Sequence, residues 1–517
     1  MRTWIFATGF LLSLLVSGNA QPAPGPTLQL GAYSADISTL DPHRATATSD
    51  VAIVGMIFNG LARFRPGSSD PKDLEPDLAA SWDKSVDGKV WTFQLRKDVK
   101  FQRDFGLMTA DDVVYSLKRG ANNSTSSFAA DLAAMQSIEK IDDGAVRITL
   151  KYGDASFLGR LANYHAGNII SKKAAEKLGD KFGANPVGTG PFGFADHVTQ
   201  QSVKLVANEA YFRGRPKIDA VMVRFIQSDS ARDLAFSNGE LDLMYARREQ
   251  RWVEGARKRP NTIVDIFSPG EFRALHLNMS APPLNDIRVR QAIAHAINVD
   301  DLVRFAGKDV AVKGCSVVPT GYLGEDCSAG TYAYDLQKAK ALLAEAGHPQ
   351  GVTVKAIVSN VSSIFPVMEV IQSQLAKAGI KLDMNVVDHP TFQSQIRKDA
   401  SPVVFYGAAR FPVADSYLSE FYLSSAIVGT PTGVSNFSHC SVADKEIEGA
   451  RVESDPKKQL ALWAEAQRKI HDQVCAIPLF SLQQVWAHNP RLKFGYDLKG
   501  SLSLAPPITE ATTLSPR

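Results

Sequence analysis

The hexapeptide Gly188-Thr189-Gly190-Pro191-Phe192-Gly193 satisfies G-x-G-x-x-G. Between a strand and a helix, that spacing cradles a pyrophosphate on unpaired helix N–H groups. The flanks here are wrong for it. Gly183 and Pro186 upstream read as loop, and Pro191 follows the second glycine. Downstream, FGFADHVTQQSVKLVAN alternates like two strands joined by a turn near Thr199. The expectation is a Gly/Pro turn feeding a β-hairpin, with no nucleotide. Catalytic spacings are equally absent: there is no G-x-S-x-G, no H-E-x-x-H, and no S-x-x-K followed by S-D-N or K-T-G. The ten histidines are scattered singly. His276 alternates with Leu275 and Leu277 on a strand, and His295 sits inside a helical AIAHAIN run, so both read as structural. Asp111-Asp112 and Asp142-Asp143 fall at a helix start and a turn, where backbone N–H groups need acceptors. No catalytic residue and no metal ligand is assigned. A carboxylate pair assembled from distant segments keeps an exported hydrolase as a minor alternative.

Cys315, Cys327, Cys440 and Cys475 are the only cysteines. An even number in an exported chain favours two disulfides. Cys315 and Cys327 bracket a loop holding Pro319, Gly321 and Gly324, which leaves Cys440 for Cys475. Neither C-x-x-C nor H-x-x-x-H occurs among these residues, which argues against the zinc alternative.

Export is read from MRTWIFATGFLLSLLVSGNA, residues 1–20: Arg2, an apolar run from Ile5 to Val16, and a Gly18-Asn19-Ala20 end describe a signal peptide cleaved after Ala20. The run is too short to span a bilayer. No cysteine precedes Cys315, so none lies near the cleavage site to carry a lipid. A periplasmic, unlipidated protein is expected. The formal charge of +3 is slight for 517 residues and is dispersed, which argues against a nucleic-acid partner. The one basic cluster, Arg247, Arg248, Arg251, Arg257, Lys258 and Arg259, is interrupted by Glu249 and Glu254 and reads as a solvated helix face.

The elements that must position any site are mixed α and β. KVWTFQL places Trp91, Phe93 and Leu95 on one strand face after a turn at Asp87-Gly88. Thr109 and Asp112 form a capping box for a helix whose stripe is Val113, Val114 and Leu117. VTVKAIVSN, VMEVIQSQLAKAG and IKLDMNVVD form a βαβ unit with Gly379 ending its helix. DIRVRQAIAHAIN and YDLQKAKALLAEAG are two further helices. A mature chain of about 500 residues exceeds what one core supports, so two lobes are expected.

LDPH from Leu40, LEPDLAASWDKSVDGKVWTFQLRKDVKF, TADDVVYSLKR, NPVGTGPFGF, LVANEAYFRGRPKIDAV, LHLNMSAPPLNDIRVRQAIAHAIN and YDLQKAKALLAEAG occur in this order over nearly the whole mature chain. Together they resemble the solute-binding proteins of dipeptide, oligopeptide and nickel ABC transporters, extracellular solute-binding protein family 5. The resemblance implies an α/β, two-lobed periplasmic-binding-protein (Venus flytrap) fold with an extra subdomain in the first lobe. The first lobe is placed at 27–270 plus 485–517, with the subdomain at 58–184, and the second lobe at 271–484. It implies capture of a peptide or peptide-like solute by a non-enzymatic monomer, without cofactor, and delivery to an inner-membrane ABC permease. The GTGPF turn is expected near the lobe junction, and Arg288 and Arg290 are expected to be structural.

Candidate ligand contacts, placed by nearness to the family's ligand-contacting segments, are Arg273, Tyr406 and Asn436 on the second lobe and Tyr33 and Thr46 on the first. Peptide-binding relatives resemble G-W-x-x-D-Y-P-D-P-x-x-F-L where this chain has Gly407, Pro412, Tyr417 and Leu418. Their amine-gripping aspartate aligns with Arg410. A guanidinium there repels an ammonium and suits a carboxylate or phosphate. An acidic solute, such as an opine-like conjugate or sugar phosphate, is therefore the alternative to a peptide. Against it stands an Arg410 that points away or pairs with Asp415, with the amine held by another acid, Asp415 included.

Overall fold

The computed structural model describes residues 25–516 apart from positions 155, 362, 431, 432 and 434. The signal peptide expected at 1–20 lies outside the described residues. Among them, no helix is long and apolar enough to cross a membrane.

An eleven-stranded mixed sheet runs through the molecule. Its path is Phe192–Val198, Ser202–Ala207, Ala220–Phe225, Thr27–Ala32, Leu243–Tyr245, Ala476–His488, Ile263–Leu277, Val403–Ala408, Val352–Ser359 and Ile380–Val387. Ala311–Lys313 pairs with Ala476–His488 off this path. The two longest strands of this sheet lie side by side: Ile263–Leu277, 15 residues long, and Ala476–His488, 13 residues long and buried throughout. They pair antiparallel from Ile263↔His488 to Phe267↔Gln484. The register then shifts, and pairing resumes at Glu271↔Leu482. Ser268-Pro269, a cis peptide, lies in the interruption, where proline has no N–H to give the ladder.

The expected βαβ unit is present. Val352–Ser359 pairs parallel with Ile380–Val387 across the helix Phe365–Lys377, and Gly379, at φ +86°, turns the chain between helix and strand. A separate sheet, ordered Ala79–Lys84, Val90–Leu95, Ala145–Leu150 and Met135–Asp142, carries Trp91, Phe93 and Leu95 on its buried face. The helix Ala110–Gly120 packs on it, capped by Thr109 and Asp112 in the reciprocal box. Each fully buried Phe or Leu of this kind contributes about 1.5–3 kcal/mol over exposure.

Buried apolar residues fall into three clusters. One unites residues 28–223 with Phe267, Trp486 and residues 492–514. A second joins Ala235–Ala256 to Leu275, Ile293 and the βαβ unit. A third gathers Phe272, Val317, Phe392, Tyr417 and Trp463. Cys315 is bonded to Cys327 and Cys440 to Cys475, with Cα separations of 5.3 and 5.8 Å.

The GTGPFG segment opens a hairpin, Phe192–Val198 with Ser202–Ala207. A β-carbon on Gly188 would meet the Ile57 carbonyl oxygen at 2.0 Å, and one on Gly190 the Met56 carbonyl oxygen at 2.6 Å. Close backbone approach therefore explains these glycines. Their nearest neighbours lie at the end of the helix Thr48–Ile57. Arg288 holds Asp286, and Arg290 donates to the Gln473 and Leu284 carbonyls.

Candidate functional site

A cavity of about 1070 Å³ lies where the two halves of the chain face one another. Its wall draws Thr46, Phe128, Asp131, Tyr152, Asp154, Arg160, Tyr164 and residues 502–504 from one side. Glu271, Arg397, residues 406–411, Asp415, Glu420 and Arg451 come from the other. That volume suits a drug-sized or larger solute. Phe128, Tyr152, Tyr164, Tyr406 and Trp463 give the wall aromatic surface.

The residues singled out from sequence part company here. Arg410 lines the cavity, but its guanidinium lies side-on to Glu420, with Nε and Nη2 each 2.5 Å from a carboxylate oxygen. Burial disfavours the charged form, and Glu420 outweighs this, so the Arg410 pKa stands above its ordinary value. The pairing with Asp415 weighed from sequence is not formed. Asp415 also lines the cavity and accepts from Arg451 Nε at 3.0 Å and Arg160 Nη2 at 3.5 Å. Thr46 and Tyr406 are on the wall. Tyr33 is not on this wall; its ring meets Tyr245 at a tilt, centroids 4.5 Å apart, and burial raises its pKa. Arg273 is 3 % exposed and lies behind Gly407. Asn436 is wholly buried. Its Nδ2 donates to the Leu423 and Cys440 carbonyls at 3.0 and 2.7 Å, and its Oδ1 accepts from Cys440 N–H. That geometry gives Asn436 a structural role in place of the expected ligand contact.

Sequence reasoning missed most of the charged wall. Arg160, on the short helix Phe157–Arg160, lies 3.5 Å from Asp154, 3.5 Å from Asp415 and 4.0 Å from Asp131. Burial opposes its charge, and the three acids outweigh that. Arg251, Arg257 and Lys258 of the basic cluster are exposed as expected, but Arg248 departs from the solvated-face reading: its side chain is 13 % exposed and lies 3.1 Å from Glu271. Glu271 also accepts from Arg273 Nη2 at 2.6 Å. Burial would lift the Glu271 carboxyl, but Arg248 and Arg273 bring it down to about 2. Only the density of Arg and Glu after Tyr245 signalled this group, and nothing local distinguished a hinge-facing arginine from a solvated one.

The model of bacterial extracellular solute-binding proteins, family 5 (middle region), matches residues 73–428. The chain belongs to this family. A solved binding protein of A. tumefaciens, MoaA in complex with mannopinic acid, is 47% identical, with 96% of this chain and 100% of that one covered and a TM-score of 0.87. The peptide-complexed DppA of Helicobacter pylori is 30% identical over 95% and 98% of the two chains, with a TM-score of 0.81. The di/tripeptide-binding protein 2 of Pseudomonas aeruginosa is 30% identical over 475 residues, 85% of this chain and 86% of its own.

As a family 5 binding protein, the molecule has the two-lobed architecture and is the substrate-binding component of an ABC importer. Its cleft can hold a charged solute between paired ions. Among the described residues, the five carboxylates on the wall, Asp131, Asp154, Glu271, Asp415 and Glu420, lie within 4.0 Å of an arginine nitrogen.

Proposed function

We propose that the protein captures an acidic, amino-acid-derived conjugate of the opine kind in the periplasm and delivers it to an inner-membrane ABC permease. The observation that carries this reading is the state of the cleft's acids. Every wall carboxylate has a guanidinium nitrogen within 4.0 Å, and the position that aligns with the peptide binders' aspartate is Arg410. At that position a free peptide ammonium meets a guanidinium in place of a carboxylate. Holding the two like charges together in a closed cleft costs several kcal/mol, on the order of a thousandfold or more in affinity. The 47% likeness to a protein solved with mannopinic acid supports the same chemistry.

In this reading the mature chain begins after Ala20, is unlipidated, and acts as a monomer without cofactor or turnover. The lobes, divided near residue 270 and rejoined near 485, close about the interruption at Ser268–Gly270. A solute favours the closed form by as much as it binds that form more tightly. The second reading, a plain peptide, is favoured by the 30% likeness to a di/tripeptide-binding protein. Native mass spectrometry of protein from the periplasm, followed by calorimetry with mannopinic acid and with di- and tripeptides, separates the two. Retention or tight binding of plain peptides alone overturns the opine reading.

A further inference from the structure

Arg397 and Glu271 line the same cavity, and two further guanidinium groups, those of Arg248 and Arg273, are buried against Glu271. Arg397 closes the helix His389–Arg397 and faces the cavity. Its Nη1 donates to the Gln393 carbonyl at 3.1 Å and to the Gln393 side chain. Its Nη2 donates to the Tyr406 hydroxyl at 3.2 Å. Among the described residues no carboxylate lies within ion-pair distance of it, so it is the one wall arginine without an acid. Behind it, Arg248 and Arg273 share Glu271. The Nε of Arg273 is buried with no hydrogen-bond partner. Gly407, on the cavity wall, abuts that side chain: a β-carbon there would lie 2.6 Å from Arg273 Nε. Three positive charges against one negative leave this patch at +2. A second cluster on the wall is charged the other way, with Asp131, Asp154 and Asp415 against Arg160 and Arg451.

We infer that Arg397 and the Tyr406 hydroxyl form a carboxylate subsite, backed by the Arg248–Glu271–Arg273 group, that fixes which end of the solute enters beside the hinge. This inference rests on the reading of the solute as an acidic conjugate. An incoming carboxylate supplies the acid that Arg397 lacks, in a cleft where closure removes screening water. Glu271, shared by two buried guanidinium groups, holds them in place without cancelling their charge. The rest of the solute then lies toward Asp131, Asp154 and Asp415, which accept hydrogen bonds from hydroxyl or ammonium groups. The cleft thereby orients its ligand by charge before any shape contact is made.

The test is calorimetry on the mature chain with three probes: mannopinic acid, its methyl ester, and glutathione. The proteins are wild type, Arg397→Gln, Arg397→Lys, Tyr406→Phe, and the exposed control Arg304→Gln. Arg397→Gln is expected to weaken a carboxylate probe by about tenfold or more, with little effect on the ester. Arg397→Lys should recover part of the loss, Tyr406→Phe should show a smaller one, and the control none. Equal losses for acid and ester, or an unchanged affinity for the acid, would overturn the subsite. Should Arg397→Gln fail to fold, Tyr406→Phe carries the same acid-against-ester comparison. Wild-type binding of glutathione but not mannopinic acid, still lost in Arg397→Gln, would sink the opine reading and leave the subsite standing. Binding of no carboxylate probe would overturn the subsite.

Discussion

The ring of Phe411 occupies the space a side chain on Gly159 would need: a β-carbon built on that glycine would stand 2.1 Å from Phe411 Cζ. Gly159 belongs to the short helix Phe157–Arg160, and Phe411 to the segment after strand Val403–Ala408. The two come from opposite sides of the cleft. On its other side the Phe411 ring meets Phe64, centroids 5.9 Å apart. One residue further along the helix, Arg160 reaches Asp415 across the same gap. The two walls of the cleft thus have direct contacts of their own, independent of the solute.

Gly159→Val should wedge this contact open. Overpacking of this kind costs about 1–3 kcal/mol, or about five- to hundredfold in affinity. The variant should bind its solute more weakly and compact less on saturation by small-angle scattering. Adding Phe411→Ala should restore part of both. An unaltered affinity in Gly159→Val would show that closure does not pass through this contact.

The Arg410–Glu420 pair gives a second prediction. Removing Arg410 leaves Glu420 on the cavity wall with no guanidinium, so Arg410→Ala should weaken an acidic solute by about tenfold or more. Arg410→Ala with Glu420→Ala should recover most of that affinity, because the pair's net charge is restored. A double-mutant cycle by calorimetry checks this. Equal losses in the single and double variants would mean that Arg410 touches the solute itself.

How much of this was legible follows from range. The capping box at Thr109, the βαβ unit and the Gly190–Pro191 turn are local patterns, and periodicity or backbone sterics revealed them. Thr46, Tyr406, Arg410 and Asp415 were reached through family resemblance, and the structure sets them on the cavity wall. Arg160, Arg248 and Arg397 were not reached, because an arginine's role depends on partners far along the chain. Asp415 is 255 residues from Arg160, and no spacing encodes that meeting. Asn436 misled for the converse reason: its amide closes a local turn around Cys440, a use that sequence cannot tell from ligand binding.

Both disulfides lie in the part of the chain assigned to the second lobe, and their loops differ in length: the bonded residues are separated by 12 and 35 positions. The chain-entropy model gives about 3 and about 4 kcal/mol for loops of these sizes. Cys440 and Cys475 are fully buried, so reductant alone should leave that bond intact until the lobe unfolds. Reduction in urea should raise the intact mass by four hydrogens and lower the urea midpoint. Cys440→Ala with Cys475→Ala should lower it more than Cys315→Ala with Cys327→Ala. The reverse order would show that loop length does not decide.

His276 sets an acid limit on stability. It is 3 % exposed, its ring is surrounded by Phe421, Tyr422 and Phe437 at 5.6–5.9 Å, and its Nδ1 has no partner. Burial alone pushes its pKa down from 6.5 to about 3. His43 is pushed down to about 4, first by burial and then by Arg119 beside it. Below pH 6.5 the unfolded chain takes up a proton at each histidine while the folded chain does not. Stability is therefore full above that pH and falls as pH drops toward 4 for His43 and toward 3 for His276, by about 1.4 kcal/mol per pH unit for each fully titrating site. His276→Phe keeps an aromatic ring among aromatic neighbours and removes both the titration and the orphan nitrogen. Urea midpoints at pH 7.5, 5.5 and 4.5 should fall less steeply in this variant than in wild type, with the residual slope reduced again by His43→Gln. Parallel lines for wild type and His276→Phe would show that His276 is protonated in the folded protein, and that a counter-charge reaches it through the aromatic cage.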